Sequence, residues 1–306
     1  MDAQFRSRCA TLGATFTQPV DKPDETAEAT LRALWWLAAG EPRSLAAARS
    51  EPLPTLNAEG LARVDALVSR RLDGVPLAHL TGRQDFCGLE LLAAASALVP
   101  RRETELLAES AIQLGNQLAG GQDGIQVVDV CTGSGNVALA IASHCPAARV
   151  FGADIDAAAI GLAQENALRL GLDARVSFRC GDLLAPFAGP DFRQQIDLLT
   201  CNPPYISSAK VERMPSEISA HEPRTAFDGG PLGVSILMRL IDEAPLWLRD
   251  GGWLAFEVGL GQGRSMARCL ERRSEYDEVR EIHDADGATR VLLARRNGIE
   301  ASHAAP

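Results

Sequence analysis

The stretch VVDVCTGSGNVALA, residues 127–140, decides the fold class of the chain. Its β-branched residues predict a buried strand, its glycines predict a tight turn, and the apolar residues that follow predict the start of a helix. Gly133, Gly135 and Ala138 satisfy the G-x-G-x-x-[GA] pattern. In this context the glycines let the backbone approach a ligand closely at the N-terminus of a helix. The stretch therefore predicts a nucleotide-type ligand site in an α/β fold.

Segments that alternate between strand and helix surround this turn from Glu103 onward. One example is the strand pattern ARVFGADID, which precedes the helical pattern AAAIGLAQENALRLGL. Strands that alternate with helices indicate a parallel sheet covered on both faces. The last two strand patterns are joined through Asp286 and Gly287 and predict an antiparallel hairpin at one edge. We therefore expect an α/β domain with a mostly parallel sheet over residues 101–296.

The first part of the chain has a different pattern. DETAEATLRALWWLAAG and NAEGLARVDALVSRRLDG carry apolar residues at helical spacing, and Asn57 is a suitable N-cap for the second of them. We predict a small helical domain over residues 1–80 and a hairpin linker over residues 81–100. After the α/β domain we predict a disordered tail over residues 297–306.

Composition disfavours several classes of function. The 306 residues carry a net charge of −10, so no overall basic field favours direct nucleic-acid binding. The seven cysteines are scattered and never form a Cys-x-x-Cys pair, which argues against a disulfide framework or a structural zinc site. No apolar run approaches the roughly 20 residues that cross a bilayer, and the N-terminus lacks the apolar core of a signal peptide. We therefore expect a soluble, cytoplasmic protein with no metal and no membrane partner.

Three acidic residues define the ligand of the glycine-rich turn more closely. Asp154 ends the next strand, 19 residues after Gly135, where its carboxylate can accept hydrogen bonds from ribose hydroxyls. Dinucleotides and S-adenosylmethionine both use such an acid. Asp129 precedes the turn in DVCTGSG, an acidic motif typical of class I methyltransferases, and Asp182 closes the third strand, where it can meet an adenine amino group. These two acids favour S-adenosylmethionine.

A second site follows the fourth strand in IDLLTCNPPYISS, residues 196–208. Its Asn202 side-chain oxygen and a main-chain carbonyl can together accept both hydrogens of a planar –NH2 group. Pro203 and Pro204 have a fixed φ and no N–H, so that carbonyl is rigidly placed. Tyr205 can cover the flat face of the group. Because this turn ends a strand at the carboxyl edge of the sheet, we expect it to hold a methyl acceptor beside the donor.

The chain resembles the HemK-type protein-(glutamine-N) methyltransferases over nearly its whole length. The segments that carry the resemblance are RRLDGVPLAHLTGRQDFCGLEL, LVPRRETELL, DVCTGSGNVALAIA, GADIDAAAIGLAQENA, DLLTCNPPYIS, HEPRTAFDGG, GGWLAFEVG and DADGATRVLLA. The resemblance implies a helical N-terminal domain that docks a protein substrate, joined to a class I (Rossmann-like) methyltransferase domain. It also implies S-adenosylmethionine as donor and, as acceptor, a glutamine side-chain amide in a peptide chain release factor.

Carried over by position, the resemblance also implies the residues of both sites. The donor site would consist of Thr104, Cys131, Thr132, Gly133, Ser134, Gly135, Asp154, Asp182, Leu183 and Asn202. The acceptor would be held by Asn202, Pro203, Pro204 and Tyr205, and of these Asn202, Pro203 and Tyr205 would be the catalytic residues. We expect the protein to act as a monomer.

Several positions depart from the family pattern. Cys131 stands where the family usually has glycine, Arg102 where it has proline, Cys201 where it has serine and His79 where it has tyrosine. A paralogue could keep the same turns and methylate a small molecule or a different protein, so those acceptors stay open. A DNA adenine methyltransferase and a nicotinamide-dependent dehydrogenase are more remote alternatives, and the acidic charge disfavours the first of these. A non-enzymatic binding module is the least favoured.

Overall fold

The structure, a computed structural model, describes residues 3–19, 22–121, 124–213 and 221–298. Of the tail predicted to be disordered, residues 299–306 lie outside the described part. The chain divides into two compact units, which are Met1–Arg102 with Met214–Pro223 and Glu103–Arg213 with Arg224–Pro306. No helix among the described residues is long and apolar enough to cross a membrane.

The first unit is mainly helical, as predicted. It contains the helices α1 (Ala3–Thr15), α2 (Ala27–Ala38), α3 (Leu45–Ser50), α4 (Ala58–Leu72) and α5 (Leu77–Thr81), followed by an antiparallel hairpin of β1 (Arg83–Phe86) and β2 (Leu89–Leu92). Asn57 caps α4 as expected, because its side chain accepts a hydrogen bond from Gly60 N. The buried Trp35 ring packs edge-on against Phe5 at a centroid distance of 5.4 Å, which joins α2 to α1.

The second unit contains a seven-stranded sheet with helices between the strands. Its strands are β3 (Ile125–Val130), β4 (Ala148–Asp154), β5 (Val176–Cys180), β6 (Ile196–Cys201), β7 (Leu248–Glu257), β8 (Tyr276–His283) and β9 (Thr289–Arg296). They lie in the order β5-β4-β3-β6-β7-β9-β8. The five strands from β5 to β7 pair in parallel, and β8 and β9 form the antiparallel edge hairpin that the sequence predicts.

The helices of the second unit follow the predicted alternation. They are α6 (Arg102–Ala119), α7 (Asn136–His144), α8 (Ala157–Leu170), the short α9 (Ser208–Val211), α10 (Ser235–Glu243) and α11 (Gly263–Glu271). Asp156 caps the start of α8 by accepting a hydrogen bond from Ala158 N, and Gly171 ends it in the left-handed conformation. The local residues that the sequence offers at each end therefore set the limits of this helix.

The strand order reverses beside β3, next to the two turns that the sequence singles out. From β3 the chain moves outward through β4 to β5, and then returns to place β6 on the other side of β3. Ligands of open α/β sheets bind outside the carboxyl ends of the strands at such a point. The register pairs Val130 with Cys201 at the ends of β3 and β6. Cys131 and Asn202, which follow them, are therefore next to each other where the two strands end. The two sequence motifs thus meet at one edge of the sheet.

One aromatic ring packs over two glycines next to this edge. Phe178 on β5 is the register partner of Gly152 on β4. A Cβ on Gly152 would lie 2.4 Å from Cδ1 of Phe178, and a Cβ on Gly135 would lie 2.9 Å from its Cζ. The absence of these two side chains therefore lets the Phe178 ring join the glycine-rich turn to the outer strands.

We predict that Gly152→Ala lowers the free energy of unfolding by about 1–3 kcal/mol, because the added methyl group overlaps the Phe178 ring. Urea denaturation measures the change. The matched control is Gly161→Ala, where a Cβ would meet no atom within 4 Å and the helix α8 gains a better helix former. Equal stability of Gly152→Ala and wild type would contradict this packing role.

Candidate active site

The glycine turn, Cys131–Gly135, lies between β3 and α7. Gly133 and Gly135 have φ angles of 55° and 81°, in the left-handed region that glycine adopts without strain. A Cβ on Gly133 would meet no atom within 4 Å, so open space lies over this residue. Cys131 has a φ of 56° without being glycine. Gly133 therefore leaves room for a ligand close to the backbone, and the ligand site at these residues stays a prediction.

A buried carboxylate holds the glycine turn in place. Asp129 is 1% exposed and accepts hydrogen bonds from the hydroxyls of Thr132, at 2.5 Å, and Thr200, at 2.7 Å. Burial raises the pKa of Asp129 to about 6, and the two hydroxyls oppose this increase. Asp129 thus has a structural role, since its hydrogen bonds connect the glycine turn to β6. Thr200 could not be found from the sequence, since it lies 71 residues away inside an apolar strand.

Asp154 lies at the carboxyl end of β4, where the sequence places it. Its Oδ2 accepts a hydrogen bond from Gly133 N at 2.9 Å, and its Oδ1 accepts one from Asp156 N at 3.0 Å. Burial raises the pKa of this carboxyl, although these main-chain N–H groups oppose the change. A carboxylate oxygen has two acceptor sites, so capacity for ligand hydroxyls remains.

The other predicted donor-site residues lie on neighbouring loops. Asp182 follows β5 and is about half exposed, and its carboxylate pairs with Arg239 through contacts of 3.0 and 3.3 Å. Leu183 is buried in the core of the second unit. Ser134 is also buried, and its Oγ has no hydrogen-bond partner within the described part of the chain. The Ser134 carbonyl accepts a hydrogen bond from the Asn166 side chain at 3.1 Å.

The proline turn, Asn202–Tyr205, follows β6 directly. The side-chain nitrogen of Asn202 donates a hydrogen bond to Thr104 Oγ1 at 3.1 Å. Since an amide has its donors on nitrogen and its acceptor on oxygen, this contact directs the oxygen to the other side. Thr104 is 1% exposed. The sequence assigns Thr104 to the donor site, and in the structure its hydroxyl contacts the residue expected to hold the acceptor.

A buried group of charged and hydroxyl side chains supports the proline turn. Glu257, at the end of β7, is fully buried, and Arg290 donates to its Oε1 at 3.4 Å. Burial raises the pKa of Glu257, whereas the hydroxyls of Thr104 and Tyr205 and the Arg290 guanidinium lower it. Burial, followed by the Glu257 charge, raises the pKa of the Tyr205 hydroxyl well above its ordinary range. The Tyr205 hydroxyl therefore stays protonated and neutral.

Glu257 and Arg290 are not among the site residues that the sequence predicts. The sequence does contain one indication of Glu257. This acid ends a strand after four apolar residues, and a buried acid in such a place needs a polar partner. That partner, Arg290, lies 33 residues further along the chain and reaches the site through the pairing of β7 with β9.

The sheet order, the glycine turn with its two strand-end acids and the proline turn together define a class I methyltransferase. A family model described as "Methyltransferase domain" matches residues 127–221. The chain is 36% identical over 277 residues to the release factor glutamine methyltransferase of Moorella thermoacetica, which covers 90% of this chain and 93% of the relative. It is 37% identical over 240 residues to the Geobacter sulfurreducens protein of the same name, and this alignment covers 78% of this chain and 80% of the relative.

The chain belongs to the release factor glutamine methyltransferase family. This confirms the resemblance that the sequence motifs carry, as well as the prediction of a methyltransferase. Among solved structures, the hMettl16 catalytic domain in complex with MAT2A 3'UTR hairpin 6 is similar in fold, with a TM-score of 0.52 and 16% identity. That similarity covers 82% of this chain and 85% of the other.

We predict that Asp154→Ala weakens the binding of S-adenosylmethionine about 10- to 100-fold, as expected for the loss of hydrogen bonds to a charged group. Isothermal titration calorimetry measures the dissociation constant. Asp173→Ala is the matched control, because Asp173 is an exposed acid near the end of α8. Unchanged donor affinity in a folded Asp154→Ala variant would remove Asp154 from the donor site.

Proposed function

We propose that this protein transfers a methyl group from S-adenosylmethionine to the side-chain amide nitrogen of a glutamine in a peptide chain release factor. The relatives' names support the acceptor. The orientation of Asn202 supports the proposed chemistry. Its side-chain nitrogen donates a hydrogen bond to Thr104, so its side-chain oxygen is the atom that would accept a hydrogen bond from the substrate. An acceptor oxygen at the carboxyl end of β6, next to the glycine turn, suits a planar –NH2 group.

The donor site fits the proposed cosubstrate. The open space over Gly133 admits a ligand close to the backbone, and the Asp154 carboxylate can accept hydrogen bonds from ribose hydroxyls. Asp182 would meet the adenine amino group. The remaining donor residues would line the same surface, namely Cys131, Thr132, Ser134, Gly135 and Leu183. Bound there, S-adenosylmethionine supplies an electrophilic methyl group.

The proline turn would prepare the acceptor nitrogen. The oxygen of Asn202 and a main-chain carbonyl of the turn would accept its two hydrogens, which draws electron density toward nitrogen and fixes its direction. Pro203 and Pro204 add stiffness because their φ angles are fixed. Tyr205 would exclude water from the flat face. Positioning and preorganised dipoles would therefore supply most of the rate enhancement.

Several further features belong to the same proposal. The helical domain over residues 1–80 would dock the release factor, residues 81–100 would form the linker, and residues 101–296 would carry the reaction. A cytoplasmic location, a monomeric state and a reaction without a metal ion stay predictions, as does the absence of direct nucleic-acid binding.

Mass spectrometry tests the proposed acceptor. The protein is incubated with S-adenosylmethionine and a purified release factor, and the added methyl group is located by peptide fragmentation. We expect the group on a glutamine side chain. We also expect Asn202→Ala to lose most of the transfer with unchanged donor affinity, whereas Asn116→Ala, at an exposed position of α6, behaves as wild type. Methylation of another residue type would contradict the proposal, and full turnover by Asn202→Ala would remove this residue from the mechanism.

Variants of Thr104 distinguish two roles for this residue, which are orienting Asn202 and binding the methyl donor. Thr104→Val keeps the shape of the side chain but removes the hydroxyl that orients Asn202, so we predict a loss in kcat of about 10- to 100-fold. Donor affinity measured by calorimetry should stay unchanged, and Thr104→Ser should recover most of the rate because it restores the hydroxyl. A loss of donor affinity in Thr104→Val with kcat retained would instead place Thr104 in the donor site.

A further inference from the structure

One side chain joins three loops around the proline turn. Gln262 precedes α11, and its Nε2 donates hydrogen bonds to the main-chain carbonyls of Tyr205, at 3.0 Å, and Gly233, at 3.2 Å. Its Oε1 accepts a hydrogen bond from Gly259 N at 2.9 Å. A side-chain amide has two N–H donors and one carbonyl oxygen, so both donors and the oxygen are engaged. Turning the amide over would break all three contacts.

The three loops approach too closely for any side chain to stand between them. A Cβ on Gly233 would lie 2.3 Å from Tyr205 O, and a Cβ on Gly259 would lie 3.0 Å from Tyr205 Cδ2. A Cβ on Gly229 would lie 2.5 Å from Pro204 O. The backbone of Pro204 and Tyr205 therefore lies against the glycines of one loop, and the Tyr205 ring lies against Gly259 of another. Gln262 makes polar contacts with both of these loops.

The proline turn needs support of this kind. Pro203 and Pro204 have no N–H, so the turn cannot be held through main-chain donors at these two positions. At these two residues the main chain can be held only through carbonyls, so contacts at the two ends of the turn matter more. Thr104 contacts the side chain at the first residue of the turn, and Gln262 contacts the main chain at the last. The two contacts hold the turn at both ends.

We propose that Gln262 is a positioning residue for methyl transfer. Its side-chain amide holds the Tyr205 carbonyl and so fixes the proline turn relative to β6. It acts through the turn and touches neither substrate. This inference rests on the proposed function, since it assigns the turn to the acceptor.

Two nearly isosteric variants test the proposal. Gln262→Glu keeps an oxygen for Gly259 N but places a carboxylate oxygen against two carbonyls, whereas Gln262→Met removes all three hydrogen bonds without adding charge. We expect both to lower kcat for release factor methylation about 10- to 100-fold, as expected for a displacement of about 1 Å. The dissociation constant of S-adenosylmethionine should stay at the wild-type value. Gln113→Glu, at an exposed position of α6, is the matched control for charge.

Rates are measured well below the thermal midpoint of each variant, so that a loss of stability is not counted as a loss of kcat. Wild-type kcat in both variants would overturn the proposal, as would a loss of donor affinity equal to the loss of rate. Amide hydrogen exchange provides a readout that needs no turnover. We expect Gln262→Met to increase exchange at Ile206 and Gly233, whose N–H groups hydrogen-bond within these loops. Unchanged exchange would also overturn the proposal, whereas a wild-type protein that methylates no glutamine would refute the proposed function instead.

Discussion

One hydrogen bond, from the side-chain nitrogen of Asn202 to the buried hydroxyl of Thr104, orients the residue that begins the proline turn. An amide that donates on one side can only accept on the other, so this bond decides which atom the turn presents. The parallel register supplies the second half of the constraint. Because Val130 pairs with Cys201, the glycine turn and the proline turn begin at neighbouring positions, at the ends of adjacent strands. The proline turn, which carries the Asn202 oxygen, therefore lies beside the glycine turn.

The burial of charged groups around these turns explains how such an arrangement stays fixed. Asp129 binds two threonine hydroxyls, and Glu257 pairs with Arg290 beside Thr104 and Tyr205. Burying a carboxylate is costly unless donors contact it, so the hydroxyls around Asp129 and the guanidinium beside Glu257 favour the arrangement that keeps these contacts. The polar groups thus specify the geometry of the site, and the apolar strands around them exclude water.

The sequence predicted the parallel sheet and the edge hairpin because the patterns that indicate them are local. The G-x-G-x-x-A pattern and the Asp286–Gly287 turn each act within a few residues of their position. The supporting residues of the site could not be predicted in the same way. The tertiary fold brings Glu257 and Gln262 to Tyr205, and Arg290 to Glu257. Hydrophobic periodicity does not say which side chains meet across a sheet. The helix α1 was also not predicted, since only Phe5 and Leu12 mark its buried face.

The most direct measurement is an experimental structure of the protein with S-adenosylhomocysteine and a glutamine-containing release factor peptide. We predict that Asn202 Oδ1 lies within hydrogen-bond distance of the glutamine amide nitrogen, with Nδ2 still bound to Thr104. The same nitrogen should face the sulfur of the donor product. A structure in which the Asn202 oxygen turns toward Thr104, or in which the glutamine binds away from the proline turn, would contradict it.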